Sequence, residues 1–80
     1  MVNQTKPDRS LDCVGLYCPE PVFRTRQEID KMEPGDILEV VADDPAAEED
    51  IPRLVKRLGL ELVEMSKEED LLRFVIRKNE

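Results

Sequence analysis

Cys18, in the run Leu11-Asp-Cys-Val-Gly-Leu-Tyr-Cys-Pro-Glu-Pro21, is the residue best suited to covalent chemistry in this 80-residue chain. Two prolines follow it closely. Proline is tolerated in the first turn of a helix, where its missing N–H has no intrahelical partner and its fixed φ is already helical. Cys-Pro-Glu-Pro therefore reads as a helix start with Cys18 at the N-cap. A thiol there faces the positive end of the helix dipole, which favours the thiolate and lowers the pKa. Glu20, two residues on, opposes that effect through like charge.

The chemistry open to this sulfur is narrowed by what the chain lacks. It has no histidine, so a Cys–His nucleophile pair is excluded. Two cysteines without histidine leave a mononuclear zinc site short of ligands, and neither a metal nor a cofactor is expected. A thiol that works alone suits sulfur transfer or thiol exchange, in which sulfur itself is attacked or carried. Cys13 stands five positions before Cys18, a C-x4-C spacing that differs from the C-x-x-C redox motif. It reads either as an inward-facing strand residue or as a redox partner of Cys18.

A net charge of −7 argues against general nucleic-acid binding, which needs clustered lysine and arginine. Two basic clusters exist nonetheless: Arg24, Arg26 and Lys31, then Arg53, Lys56 and Arg57. The ordinary fate of such residues is a solvated face paired with neighbouring carboxylates. The functional alternative, with Arg24 and Arg26 foremost, is a docking rim for an acidic partner or for tRNA phosphates. Asp43 and Asp44 read as caps of a second helix. No apolar run approaches a membrane span, and residues 1–10 show neither a basic nor a hydrophobic leader region, so a cytoplasmic protein without membrane contact is expected.

The elements that position Cys18 follow from periodicity. Residues 10–14 form a short strand, and Gly15 turns the chain. From position 19 to about position 32, Val22, Thr25, Ile29 and Met32 make one apolar helical stripe, ended by Pro34-Gly35. Residues 37–42 alternate as a strand. Ala47, Ile51, Leu54, Val55 and Leu58 mark a second amphipathic helix closed by Gly59, with Pro52 either bending it or lying in its first regular turn. Residues 60–65 and 71–77 form a hairpin across the polar loop 66–70. Leu72, Phe74 and Ile76 alternate with Arg73, Val75 and Arg77, as expected of a sheet with one covered and one partly wet face. The result is an α+β domain, a two-layer βαβαββ sandwich with a four-stranded mixed sheet and both helices on one face. Residues 1–9 are expected to be a flexible tail and residues 10–80 a single domain.

The chain resembles the TusA/SirA-like sulfur-carrier family with its C-P-x-P motif. The resemblance rests on Leu11-Asp12, Gly15-Leu16, Cys18-Pro19-x-Pro21, Pro34-Gly35-Asp36, Asp43-Asp44-Pro45, Asp50-Ile51-Pro52 and the closing Phe74-Val-Ile-Arg-Lys78. It implies that Cys18 accepts sulfane sulfur as a persulfide, with Asp12, Gly15, Pro19 and Pro21 holding its loop. It further implies a cysteine desulfurase or other persulfide donor, a downstream acceptor protein, and in one branch a tRNA-modifying enzyme that thiolates uridine. Val14, Tyr17 and Glu20 depart from the family's common residues around the sulfur, and Cys13 resembles the second cysteine of a subset. A rival reading is a redox-sensing or regulatory binding module that uses a Cys13–Cys18 dithiol.

Overall fold

The computed structural model describes residues 7–79. Six elements follow in the order β1 (Arg9–Cys13), α1 (Glu20–Asp30), β2 (Ile37–Ala42), α2 (Ala47–Arg57), β3 (Glu61–Glu68) and β4 (Leu71–Arg77). This is the expected βαβαββ chain. The strands form one mixed sheet in the order β1-β2-β4-β3, with β1 parallel to β2 and both β2 and β3 antiparallel to β4. Each β-α-β connection advances across the sheet in the same direction. Right-handed crossovers of that kind lay both helices on one face, and the second passes over β4 to reach the far edge.

The core lies between that face and the helices. Leu38, Val40 and Ala42 of β2 and Leu72, Phe74 and Ile76 of β4 meet Ile29 of α1 and Ala47, Ile51, Leu54 and Val55 of α2, all buried. The alternation predicted from sequence is borne out, with one addition. Val75 points to the helix-free face and is still buried. Its register partners there are Glu39 and Glu64, and both carboxylates pair with Arg73, whose aliphatic stem lies along the same strand face.

Local signals set most boundaries. α2 ends in a Schellman arrangement: the Leu60 N–H donates to the Val55 carbonyl at 3.0 Å and the Gly59 N–H to Lys56 at 3.1 Å. Pro52 lies inside this helix and does not start it. α1 stops at Asp30, two residues short of the expected end. Lys78 then donates from Nζ to the Ile29 and Met32 carbonyls at 3.0 and 2.9 Å, placing a cation on the helix's negative end.

β1 begins at Arg9, and the Asp8 carboxylate accepts the Ile37 N–H at 2.9 Å. The expected flexible tail falls mainly on residues 1–6, which lie outside the described residues.

β3 runs three residues past its expected end, because only Glu69 and Asp70 lie between the paired residues Glu68 and Leu71. Glu69 takes φ +58°, the left-handed region that costs a non-glycine residue about 1–2 kcal/mol. Glu69→Gly is therefore expected to raise the unfolding free energy by about 1 kcal/mol, since a two-residue hairpin turn with positive φ at its first position favours glycine. Urea denaturation measures it. An unchanged or lowered midpoint would show that the turn carries no such strain.

Candidate functional site

The parallel pairing of β1 with β2 puts the C-terminal ends of both strands at one edge, with Cys13 opposite Ala42. The two loops that leave this edge, one toward α1 and the other toward α2, meet there. The Cys18 loop is closed locally by the Leu16 N–H donating to the Cys13 carbonyl at 3.1 Å and by Asp12 Oδ1, which accepts the Val14 N–H at 3.0 Å. Gly15 sits at φ +88°, so a side chain at this turn would be strained even though nothing stands within 4 Å of where its Cβ would lie.

The second loop holds the first. Asp43 Oδ1 accepts the Gly15 N–H at 2.9 Å, and Asp44 Oδ2 accepts the Cys18 N–H at 2.7 Å. Asp44 Oδ1 also takes the Ala46 N–H at 3.2 Å. This corrects the reading of these residues as helix caps. The N-cap of α2 is Ala46, with no side-chain cap; Asp43 holds the cysteine loop, and Asp44 shares its carboxylate between that loop and the turn that enters α2.

A second correction concerns Cys18 itself. The N-cap of α1 is Pro19, which places Cys18 one residue outside the helix, joined to Pro19 by a cis peptide bond. Pro21 is buried at the second helical position. Few amide donors remain for the sulfur: Pro19 and Pro21 have none, the Glu20 N–H goes to the Tyr17 carbonyl and the Phe23 N–H to that of Pro19. Carboxylates stand closer. Cys18 Sγ donates to Asp50 Oδ2 at 3.6 Å. Desolvation, this hydrogen bond, and the charges of Asp50 and Asp44 hold the thiol above its ordinary pKa, although the residue is exposed. The lowered pKa expected from a helix start is thus reversed. Glu20 lies 3.5 Å from Arg24, a neighbour of opposite charge.

Cys18 opens on a groove of about 250 Å³ between α1 and α2, lined also by Val22, Leu54, Arg53 and Arg57. Exposed Tyr17 and Val14 belong to the same loop, and Phe23 is exposed on α1. Cys13 contrasts with all of this. Both cysteines are free, but Cys13 is fully buried on the helix-covered face of β1, and desolvation raises its thiol pKa. A thiol held there gives the Cys13–Cys18 redox reading no geometric support. Arg24 and Arg26 are exposed and form i,i+4 pairs with Glu20 and Asp30, contacts that contribute little energy. Among the described residues no cluster of three metal-ligating side chains occurs, and no helix is long and apolar enough to cross a membrane.

Of the residues expected to support Cys18, Gly15 and Pro19 lie in its loop, Asp12 lies in β1 with its carboxylate on the Val14 N–H, and Pro21 lies in the first turn of α1. Sequence reasoning missed Asp50 as the partner of the sulfur, and Asp43 and Asp44 as partners of the Gly15 and Cys18 N–H groups. The available signal was the βαβ pattern, which predicts parallel strands whose C-terminal loops adjoin.

Comparison with known proteins places these features in context. The family model described as "Sulfurtransferase TusA" matches residues 9–78. A curated relative from Archaeoglobus fulgidus, described as "Putative sulfur carrier protein", is 61% identical over 70 residues, covering 86% of this chain and 91% of its own. The crystal structure of a SirA-like protein from Desulfitobacterium hafniense superposes with a TM-score of 0.79 at 20% identity, over 90% of this chain and 99% of that one. At that identity the likeness speaks for the fold alone.

Proposed function

Because this chain belongs to the TusA sulfurtransferase family, a family of sulfur carriers, we propose that Cys18 is the atom-bearing site: it takes up sulfane sulfur as a persulfide and passes it to a downstream acceptor. The observation that carries this reading is the contrast between the two cysteines, Cys18 exposed at the groove mouth and Cys13 sealed in the core. In the loading step the Cys18 thiol loses its proton to water, and the thiolate so formed attacks the terminal sulfur of a donor persulfide, whose departing thiolate takes a proton back. The donor's S–S bond breaks, a new Cys18 S–S bond forms, and the donor leaves as a thiolate. No external oxidant enters, because the sulfane sulfur changes only its carrier. Transfer onward repeats the exchange with Cys18 as leaving group.

Carriers of this family work with sulfur donor and acceptor proteins. For this chain the donor is proposed to be a cysteine desulfurase or another persulfide enzyme in the cytoplasm, and the acceptor a protein of a tRNA-thiolation or other sulfur pathway. The working unit is proposed to be the single domain of residues 10–80. Asp12, Gly15, Pro19 and Pro21 hold the loop, and Arg24 and Arg26 are proposed as part of the docking rim.

The test is incubation of the full chain with a desulfurase and radiolabelled cysteine. Label is expected on the protein under non-reducing conditions and is expected to leave on treatment with dithiothreitol. Label that fails to bind, or that resists the thiol, contradicts a persulfide.

A further inference from the structure

The Cys18 loop and the elements that flank it carry many charged residues, of unequal standing toward the sulfur. Asp12 stands at the end of β1, Asp43 and Asp44 on the loop before α2, Glu20 and Arg24 on α1, and Asp50, Arg53 and Arg57 on α2. Most of the carboxylates already have other partners. Asp12 takes the Val14 N–H, Asp43 the Gly15 N–H, Asp44 the Cys18 and Ala46 N–H groups, and Glu20 pairs with Arg24. Asp50 is the one whose oxygen faces the sulfur, at 3.6 Å. Its other oxygen lies 3.6 Å from Arg53 Nη1. The rotation of α2 fixes this placement, since Ile51 and Leu54, the next residue and the one a turn on, are buried in the core.

A carboxylate can accept a hydrogen bond from a thiol but can only repel a thiolate. We propose that Asp50 is the positioning residue of the reactive sulfur: braced by Arg53, its carboxylate accepts the Cys18 S–H, aims the sulfur into the groove between α1 and α2, and keeps the unloaded carrier in its thiol form. This rests on the reading of Cys18 as the sulfur-bearing residue and adds how that sulfur is held between loadings. The raised pKa of the thiol agrees with it. Asp50 itself bonds to no transferred atom, and its role is exerted through Cys18.

The experiment is the rate of Cys18 alkylation by iodoacetamide as a function of pH, carried out on the full chain and read by fragmentation of the tryptic peptide that holds both cysteines. Wild type is compared with Asp50→Asn, Asp50→Glu and Arg53→Gln. Removing the Asp50 charge is expected to move the rate profile to lower pH and to speed alkylation at neutral pH by roughly fivefold. Asp50→Glu is expected to restore the wild-type profile. Arg53→Gln leaves the carboxylate less neutralised and is expected to move the profile the opposite way. A purely structural role for Asp50 predicts no such opposition of sign. Superposition of the Asp50→Asn and wild-type profiles overturns the proposal, as does a shift to higher pH. Should Asp50→Asn fail to fold by circular dichroism, the exposed Arg53 variant decides alone, and an unmoved Arg53→Gln profile overturns it. Alkylation needs no sulfur donor, so this outcome is independent of whether the carrier can be loaded.

Discussion

Truncating Phe74 to alanine should leave the domain close to its unfolding threshold. Phe74 is the largest fully buried side chain, and it sits on the helix-covered face of central strand β4, opposite Val40 of β2 and Met65 of β3. Removing a buried phenylalanine ring typically costs about 3–5 kcal/mol through lost transfer energy and the cavity left behind. A whole domain has only about 5–15 kcal/mol of stability, and a chain of this length lies toward the lower end. Chemical denaturation monitored by far-ultraviolet circular dichroism is therefore expected to show a steep fall in midpoint, or no folded baseline. Phe74→Leu keeps most of the apolar volume and should cost far less. A Phe74→Ala midpoint near that of wild type would mean that the core is not centred on β4.

The second large effect is chemical. Cys18→Ser is expected to abolish sulfur loading while leaving the denaturation curve in place. The side chain is exposed, so its packing contribution is small. The serine hydroxyl retains the size and a hydrogen-bond donor for Asp50, but oxygen does not form the S–S bond that the transfer requires. Cys13→Ala makes the converse prediction. Its thiol is buried, so the variant should lose some stability and keep its loading. A Cys18→Ser variant that still relays sulfur, or a Cys13→Ala variant that is stable but cannot load, would relocate the chemistry.

These expectations draw on parts of the chain that differ in how openly the sequence displays them. β2 and β4 fall where alternation placed them, at Ile37–Ala42 and Leu71–Arg77, because each is a central strand whose apolar residues repeat with period two. Both helices were legible from one apolar stripe each. The end of β3 was not: residues 66–70 are polar, as a loop would be, but β3 is an edge strand whose side chains are largely exposed, so polarity there carries little information about pairing.

The site was legible in its nucleophile and its local loop, and misread in its electrostatics. A helix start argues for a lowered thiol pKa only if amide donors face the sulfur. Here prolines at positions 19 and 21 remove two of them and local carbonyls take others. Asp43 and Asp44, which hold the Gly15 and Cys18 N–H groups, and Asp50, which with Asp44 adds to desolvation in raising the thiol pKa, arrive from 26 to 32 positions away in the chain. Local reading assigned the first two to caps on their own helix. Their true partners follow only once β1 and β2 are known to run parallel.

The central claim is that one sulfur atom rides on Cys18. Both cysteines fall within a single tryptic peptide, residues 10–24, so intact mass alone cannot separate them and the added atom must be located by fragmentation. After incubation with a persulfide donor under non-reducing conditions, tandem mass spectrometry of this peptide is predicted to show one extra sulfur on fragments containing Cys18 and none on those containing Cys13 alone. An extra sulfur on Cys13, or one that persists in Cys18→Ser, would contradict the account.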